Sequence, residues 1–384
     1  MAYKILIGIP SYNEEDSIAF VVKQIDKGIQ KFYNPAECLI INLDSDSEDK
    51  TKEAFLKTQT KTSKRYINSG GQPRGKGKNL LRLFQLSQEL SAEYVVTVDA
   101  DIKTVNPNWV FSLLNPLIKE GFDYCVPIYS RNRFEGNITN NFAYPLVYSI
   151  YGVEVRQPIG GDFGISKRLC SYLLKQSIHE TTLKYGIDIF MTCHAIGGGF
   201  NLTEVYLGRK FHRPSFYHMI PTFQNVFETG VYVTRLYKLN KHKPSLGRFR
   251  AYKQTRGGID KVKLYPHKIE LFNLLKECSQ KFFSFQKSSY KNYLGSLLKP
   301  ITWVIKSGRP SFSAELWTST LAAFLKACYK EDFKKEERSF ISELITPIYL
   351  WRAASFWEEV ESVTPKDAEN KVRNQARLLR SKVG

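Results

Sequence analysis

The feature that most constrains this chain is the alternation of strand-like and helix-like segments over its first 130 residues. Tyr3–Ile9 is a short apolar run that ends at Pro10 and reads as a buried strand. Ser17–Phe32 carries Ile18, Val21, Val22, Ile25 and Ile29 at helical spacing, and Leu39–Leu43 is a second strand closed by the polar loop Asp44–Lys50. A helix through Ala54 and Leu56, a short strand at Arg65–Ile67, a helix over Asn79–Leu90 and strands at Tyr94–Val98 and Tyr124–Tyr129 continue the pattern. Strands alternating with helices across short loops predict an α/β fold built on a parallel, doubly wound sheet. Ligands of such sheets bind beyond the carboxyl ends of the strands, where the polar loops of this chain lie.

From about Gly230 strand-like runs fade, and helical patterns appear around Ile269–Phe285, Glu315–Tyr329 and Phe333–Glu361. The expectation is a first domain over 1–225 and a basic, mainly helical second domain over 226–384, with the linker between Ile220 and Lys243. Residues 363–384 read as a charged helix or a frayed tail. With 384 residues and 42% apolar side chains, two real cores are within reach and wholesale disorder is excluded.

Charge is the informative part of the composition. The net charge of +19 is concentrated between Arg235 and Arg309, where 18 Lys and Arg face three acids (Asp260, Glu270, Glu277), a local net of +15. An anionic partner suits that stretch, whether phosphate-bearing substrate, acidic lipid or nucleic acid. Six scattered cysteines with no Cys-X-X-Cys pair argue against a metal cage or disulfide framework and suit a reducing cytoplasm. No run of 18 apolar residues is present to span a membrane, and the apolar N-terminus lacks a cleavage site, so a secretory signal is not expected.

Chemistry-bearing residues gather in the loops after the strands. Asp99-Ala100-Asp101 follows the Val95–Val98 strand, and two carboxylates so placed can grip a hard divalent ion together with diphosphate oxygens. Alone, the triplet fits a solvated turn or helix cap equally well. Three further blocks accompany it: Ile9-Pro10-Ser11-Tyr12-Asn13-Glu14-Glu15, Asp44-Ser45-Asp46-Ser47-Glu48-Asp49-Lys50-Thr51, and Arg74-Gly75-Lys76-Gly77-Lys78. A carboxylate after a strand can hold ribose hydroxyls or a base edge, and a lysine between glycines can reach a phosphate that the backbone approaches closely.

In this order and spacing, the four blocks resemble the nucleotide-sugar half of glycosyltransferases of the type-A fold, family 2-like, with a Rossmann-like, mostly parallel sheet. The likeness continues through Gln157–Gly164, Tyr185–Asp188 and Glu204–Arg213 and covers roughly residues 3 to 220. These last three blocks are similar to a narrower group, the mannosylglycerate synthases and glucosyl-3-phosphoglycerate synthases, retaining enzymes that place a hexose on a glycerate-type acceptor.

The resemblance implies donor contacts from Pro10, Tyr12, Glu14, Asp44, Ser45, Lys76, Asp99, Ala100 and Gly161. It implies a divalent metal, Mn²⁺ or Mg²⁺, at Asp101, His212 and Asp99, with Asp101 the main carboxylate ligand. An imidazole in that set suits Mn²⁺ better than Mg²⁺. Catalytic roles fall to Asp101, Asp162, Asp188 and Lys76; Asp162 stands where the relatives carry Glu, and Asp188 also fits a helix N-cap. Arg131, Asn137 and Thr139 resemble the loop that holds an acceptor carboxylate, for which a planar guanidinium is well shaped. The expected partners are a nucleotide sugar (UDP-glucose or GDP-mannose) and a small acidic acceptor.

The implied reaction is a metal-dependent, retaining hexosyl transfer from the nucleotide sugar to glycerate or a related hydroxy acid. Two other readings stay open. Phe282, Phe283, Phe285, Tyr290, Tyr293, Leu294, Leu297 and Trp303 interleave with Lys281, Lys287, Lys291, Lys299 and Lys306. That pattern suits either a peripheral contact with an anionic membrane, and then a lipid or polyprenyl-phosphate acceptor, or a helical core with solvated lysines. Outside the enzymes stands a basic nucleic-acid- or membrane-binding protein, although the charge lies away from the motif loops and no nucleic-acid module is recognisable, so no nucleic acid is expected. The second domain is expected to dimerise the protein or to cover the acceptor site.

Overall fold

The computed structural model describes residues 3–211, 219–239, 247–252 and 265–383. Within them the chain packs as two compact units. The first comprises residues 1–129, 157–214 and 244–254; the second comprises 130–156, 215–243 and 255–384.

The first unit is an eight-stranded sheet. Its strands are β1 (Ile5–Ser11), β2 (Cys38–Asp44), β3 (Ser63–Asn68), β4 (Tyr94–Thr97), β5 (Tyr124–Ser130), β6 (Phe163–Ser166), β7 (Leu202–Arg209) and β8 (Phe249–Arg250). Their spatial order is β3-β2-β1-β4-β6-β5-β7-β8. β1 pairs in parallel with β2 and with β4, β2 with β3, and β7 with β8. β6 runs antiparallel to both β4 and β5. All seven residues of β1 and of β2 are buried, as expected of central strands covered on both faces.

Helices α1 (Ile18–Phe32), α2 (Thr51–Lys57), α3 (Lys76–Glu89) and α4 (Asn108–Glu120) belong to this unit, whereas α5 (Tyr144–Tyr151) belongs to the second. α6 (Lys167–Leu173) and α7 (Ile187–Gly197) complete the first. Ile18, Val21, Val22, Ile25 and Ile29 of α1 form one apolar stripe, and with Ile5, Ile7 and Ile9 of β1 and Val110, Leu113 and Leu117 of α4 they make a continuous core. The helix expected at Asn79 begins three residues earlier, at Lys76, so this lysine stands on the first turn of α3.

The second unit is helical: α8 (Met219–Leu239), α9 (Tyr265–Ser284), α10 (Lys287–Leu294), α11 (Leu298–Ser307), α12 (Ala314–Cys328), α13 (Lys335–Glu361) and α14 (Pro365–Val383). Most of the stretch expected as a linker at Ile220–Lys243 is the 21-residue helix α8. Phe223, Val226, Phe227 and Val231 on it are buried; Pro221 falls in the first turn, where proline is tolerated, and apolar spacing outweighs Gly230. The tail after Val363 is the helix α14. Residues 130–156 are tied into this unit by side chains: Trp317 donates its indole N–H to the Asn141 carbonyl at 2.8 Å, Arg156 pairs with Glu369 at 3.0 Å, and Arg373 with Glu154 at 2.6 Å. No helix of the described residues is long and apolar enough to cross a membrane.

Candidate active site

The sequence-predicted donor residues converge at the carboxyl ends of β1, β2 and β4, which the parallel register aligns. After β2, Asp44 is buried, and its two oxygens accept from Ser11 Oγ (2.8 Å), Ser47 N (2.9 Å), Ser47 Oγ (2.6 Å) and Tyr66 Oη (2.9 Å). Four donors fill the capacity of a carboxylate. Asp44 thus shapes the loop that follows it, fixing the backbone of residues 44–47. Ser45 is fastened as well, its N–H to the Ser11 carbonyl (2.9 Å) and its Oγ to the Asn79 amide (2.9 Å). Pro10 lies inside β1, and Glu14 accepts from Ser17 Oγ at 2.6 Å. Tyr12 is exposed beside Arg74, whose guanidinium sits 5.7 Å from the ring and pairs with Asp46 (3.1 Å) and Glu48 (3.4 Å).

Beneath this rim lies a buried charge network. Lys76 Nζ is 2.7 Å from Asp99 Oδ1, 3.4 Å from Asp188 Oδ1 and 3.1 Å from the Gly161 carbonyl. Lys210 Nζ donates to Asp99 Oδ2 (2.9 Å), Asp162 Oδ2 (2.8 Å) and the Gly160 carbonyl (2.9 Å), which uses all three of its protons. Asp162 is fully buried; Tyr129 Oη donates to its Oδ2 and the Asp99 N–H to its Oδ1 at 2.8 Å. Two lysines therefore face three carboxylates, and every one of the five groups is at least four-fifths shielded by side-chain accessibility except Asp99, at 21%.

The environment pulls these groups apart electrostatically. Burial alone would raise the Asp99 carboxyl, but Lys210 and Lys76 outweigh it and hold Asp99 well below the usual carboxylate range. For Asp162 burial wins: with the neighbouring Asp99 charge it outweighs Lys210 and pushes the carboxyl up. Asp188 is likewise raised by burial against the pull of Lys76. Burial works against the charge on Lys76 and Lys210, yet the carboxylates around them raise both above an ordinary lysine.

Gly161 makes this packing possible. It adopts φ +95°, and a Cβ there would lie 2.2 Å from Asp99 Oδ2 and 2.6 Å from Lys210 Nζ. The glycines flanking Lys76 serve a different end from the expected approach to an anion. A Cβ on Gly77 would meet the Thr182 carbonyl oxygen at 1.8 Å, so this glycine lets the 182–184 loop close over the start of α3.

Asp101 differs from Asp99. It is half-buried, makes no hydrogen bond or ion pair among the described residues, and borders a cleft of about 270 Å³ shared with Glu14, Asp49 and Lys103. Just beyond it, the Lys103 N–H bonds the Phe211 carbonyl (3.1 Å) and the Phe211 N–H bonds Thr104 Oγ1 (3.0 Å). His212, the next residue in sequence, lies outside the described residues. Among the described residues no three His, Cys, Asp or Glu side chains converge as a metal site. Asp188 is the second residue of α7 and makes no capping hydrogen bond; it faces Lys76 instead.

The acceptor candidates belong to the second unit. Arg131 follows β5, Thr139 is buried, and Asn137 accepts the Trp357 indole N–H on its Oδ1 at 2.9 Å. Lys210 and Tyr129 are the residues that sequence reasoning passed over. Lys210 sits in the run Arg209-Lys210-Phe211-His212-Arg213, where pattern alone cannot tell which cation turns inward.

Residues 6–171 match the family model "Glycosyl transferase family 2". A glucosyl-3-phosphoglycerate synthase of Petrotoga mobilis is 28% identical over 202 residues, a match that covers 48% of this chain and 58% of that protein. The chain thus spans little more than half the length of that relative. Among solved structures, the glucosyl-3-phosphoglycerate synthase of Mycobacterium tuberculosis in complex with Mn²⁺, UDP and phosphoglyceric acid has a TM-score of 0.50 at 23% identity, over 60% of this chain and 78% of that one. The same enzyme with Mg²⁺ and UDP has a TM-score of 0.50 at 22% identity, over 60% and 79%. At that identity the likeness establishes the fold, which is the type-A glycosyltransferase fold followed by a helical region.

Proposed function

We propose that this chain, whose residues 6–171 match the glycosyl transferase family 2 model, transfers a hexose from a nucleotide sugar to a glycerate-type acceptor with retention at the anomeric carbon. The observation that carries the reading is the convergence, beyond β1, β2 and β4, of the exposed Tyr12, a buried Lys76–Asp99–Asp188 cluster and an Asp101 with no partner among the described residues. The relatives' own ligands, UDP, UDP-glucose and phosphoglyceric acid, favour a uridine nucleotide, glucose and a phosphorylated glycerate here.

A divalent metal fits the residues in one respect. Asp101 offers a hard carboxylate with no protein partner among the described residues, whereas both oxygens of Asp99 are engaged by lysines. Asp101 would hold the ion, with His212 as a proposed second ligand. When bound, such an ion neutralises charge on diphosphate oxygens.

The chain's own residues account for the rest. The less buried of the two lysines, Lys76, is placed to receive the negative charge that grows on the departing diphosphate. Lys210 and Asp162 keep Asp99 in position, and Asp99 in turn orients Lys76. Asp188 offers a carboxyl near Lys76 to the sugar hydroxyls. No pair of carboxylates is assigned as glycosidase-type acid and nucleophile. The acceptor hydroxyl attacks from the face that the diphosphate leaves, and a leaving-group oxygen takes its proton. Arg131 and Thr139 are assigned to the acceptor carboxylate. So is Asn137, which accepts the Trp357 indole N–H on its amide oxygen and keeps an NH₂ to donate.

Incubation with UDP-glucose or GDP-mannose, Mn²⁺ and either glycerate or 3-phosphoglycerate tests the reading. An α-linked glycosyl product seen by NMR, formed by wild type and lost in Asp101→Ala, supports it. Turnover by Asp101→Ala equal to wild type removes the metal assignment, and no product from any pair removes the reaction.

A further inference from the structure

The second unit carries a surface that the transfer reaction does not use. Of the aromatic residues that interleave with lysines between Phe282 and Trp303, Phe282 and Tyr290 are core, at 4% and 2% exposure. Trp303 is the opposite, 69% exposed, the most open large hydrophobic side chain among the described residues. It stands on α11, which buries Leu298, Ile301, Val304 and Ile305 and turns its other face outward. Lys299 lies four residues before Trp303 and Lys306 three after, so the three share one face, with a lysine one turn away on each side. Neighbouring α10 adds the exposed Lys287 and Lys291. Residues 278–309 contain six Lys and Arg and no acid, and none of these lysines is ion-paired among the described residues.

We propose that this face of α11 docks on the surface of an anionic lipid bilayer, Trp303 entering the headgroup layer and Lys299, Lys306, Lys287 and Lys291 meeting lipid phosphates. An indole has an apolar body and a polar N–H, which suits the membrane–water interface. Unpaired lysines around it supply attraction to acidic headgroups. A second copy of the chain fits less well, because a net charge of +19 repels its own kind. The docking holds the enzyme at a membrane without any helix crossing it.

The molecule carries its own reporter. Trp109, Trp317, Trp351 and Trp357 are all at most 4% exposed, so acrylamide quenching of this chain reads Trp303. Vesicles of phosphatidylcholine containing phosphatidylglycerol are expected to shift the emission to shorter wavelength and to protect it from acrylamide, whereas phosphatidylcholine alone does neither. Added salt reverses the effect. Trp303→Ala, at an exposed position where the fold is expected to stand by circular dichroism, lowers co-sedimentation with the same vesicles. Each Lys→Gln change at 299 or 306 lowers the vesicle partition coefficient about fivefold. Asp101→Asn leaves binding unchanged, which separates this surface from the reaction. No protection by phosphatidylglycerol vesicles overturns the proposal. So does protection by a short oligonucleotide in place of vesicles, or protection that grows with protein concentration alone, which assigns the face to nucleic acid or to a second copy.

Discussion

Replacing Lys210 by methionine removes one ammonium group and leaves the surrounding volume nearly filled. Asp162 Oδ2 then keeps the Tyr129 hydroxyl and Asp99 Oδ2 loses its lysine, while Asp99 Oδ1 retains Lys76. Asp162 is fully buried, so no water replaces the lost cation. Removing one partner of a buried ion pair costs about 3–5 kcal/mol, because the other charge stays desolvated and unpaired. The loss should depend on pH with a definite sign. Asp162 already has a raised carboxyl, from burial and the Asp99 charge, and without Lys210 it rises further. A carboxyl raised in the folded state binds its proton more readily there than in the unfolded chain, so the penalty shrinks as pH falls through the folded value. The wild-type Asp99 contributes the opposite slope, but only in strong acid, because its carboxyl is held well below the usual range. Urea unfolding with hydrogen exchange of the β4 and β6 peptides assigns the change to the first unit. The expected result is a deficit of about 3–5 kcal/mol near neutral pH that shrinks as the pH is lowered, and that Asp162→Asn relieves in the double variant. A deficit under ~1 kcal/mol, or one that grows in acid, would refute the assignment of Lys210 as the charge that holds this site together.

Three further outcomes follow from the same geometry. Gly161→Ala forces a β-carbon against Asp99 Oδ2 from a backbone at φ +95°, so it should destabilise by roughly 1–3 kcal/mol and lower turnover, as read by melting temperature and initial rate. Asp101→Asn should leave the melting temperature within about 1 °C of wild type, since the carboxylate has no protein partner among the described residues, yet abolish metal-dependent stabilisation by nucleotide. Asn137→Ala orphans the Trp357 indole N–H, expected to cost about 1–2 kcal/mol in urea unfolding and to raise the acceptor KM with little change in donor KM.

Much of the sheet was legible because its strands and helices differ in period. β1, α1, β2, α3 and β4 each declare themselves by a run of apolar residues or an i, i+3, i+4 stripe. β6 does not, since four residues after Gly160-Gly161-Asp162 are too few to show any period, and its antiparallel insertion between β4 and β5 depends on pairing partners distant in sequence. α8 hides behind Pro221 and Gly230, and only burial of its aromatic stripe reveals it. The acidic loop residues were visible at the strand ends, but their division of labour was not. Asp44 becomes a brace because Ser11, Ser47 and Tyr66 surround it, and Lys210, not Arg209, turns inward to Asp99 and Asp162, partners distant in sequence. Likewise, residues 130–156 leave the strand order to pack with helices more than 150 residues later, a fact carried by Trp317, Glu369 and Arg373, not by any local pattern.

The central claim, that the loops beyond β1, β2 and β4 form a metal-assisted nucleotide-sugar site, meets its most direct test in thermal unfolding of the full chain with Mn²⁺ and each of UDP, GDP, UDP-glucose and GDP-mannose. A ligand at a hundred times its dissociation constant stabilises by about 2.7 kcal/mol. A rise in melting temperature that requires both metal and one nucleotide, with UDP-glucose the expected winner, and that disappears in Asp101→Asn is the predicted result. No shift with any nucleotide, or an equal shift in Asp101→Asn, would contradict it.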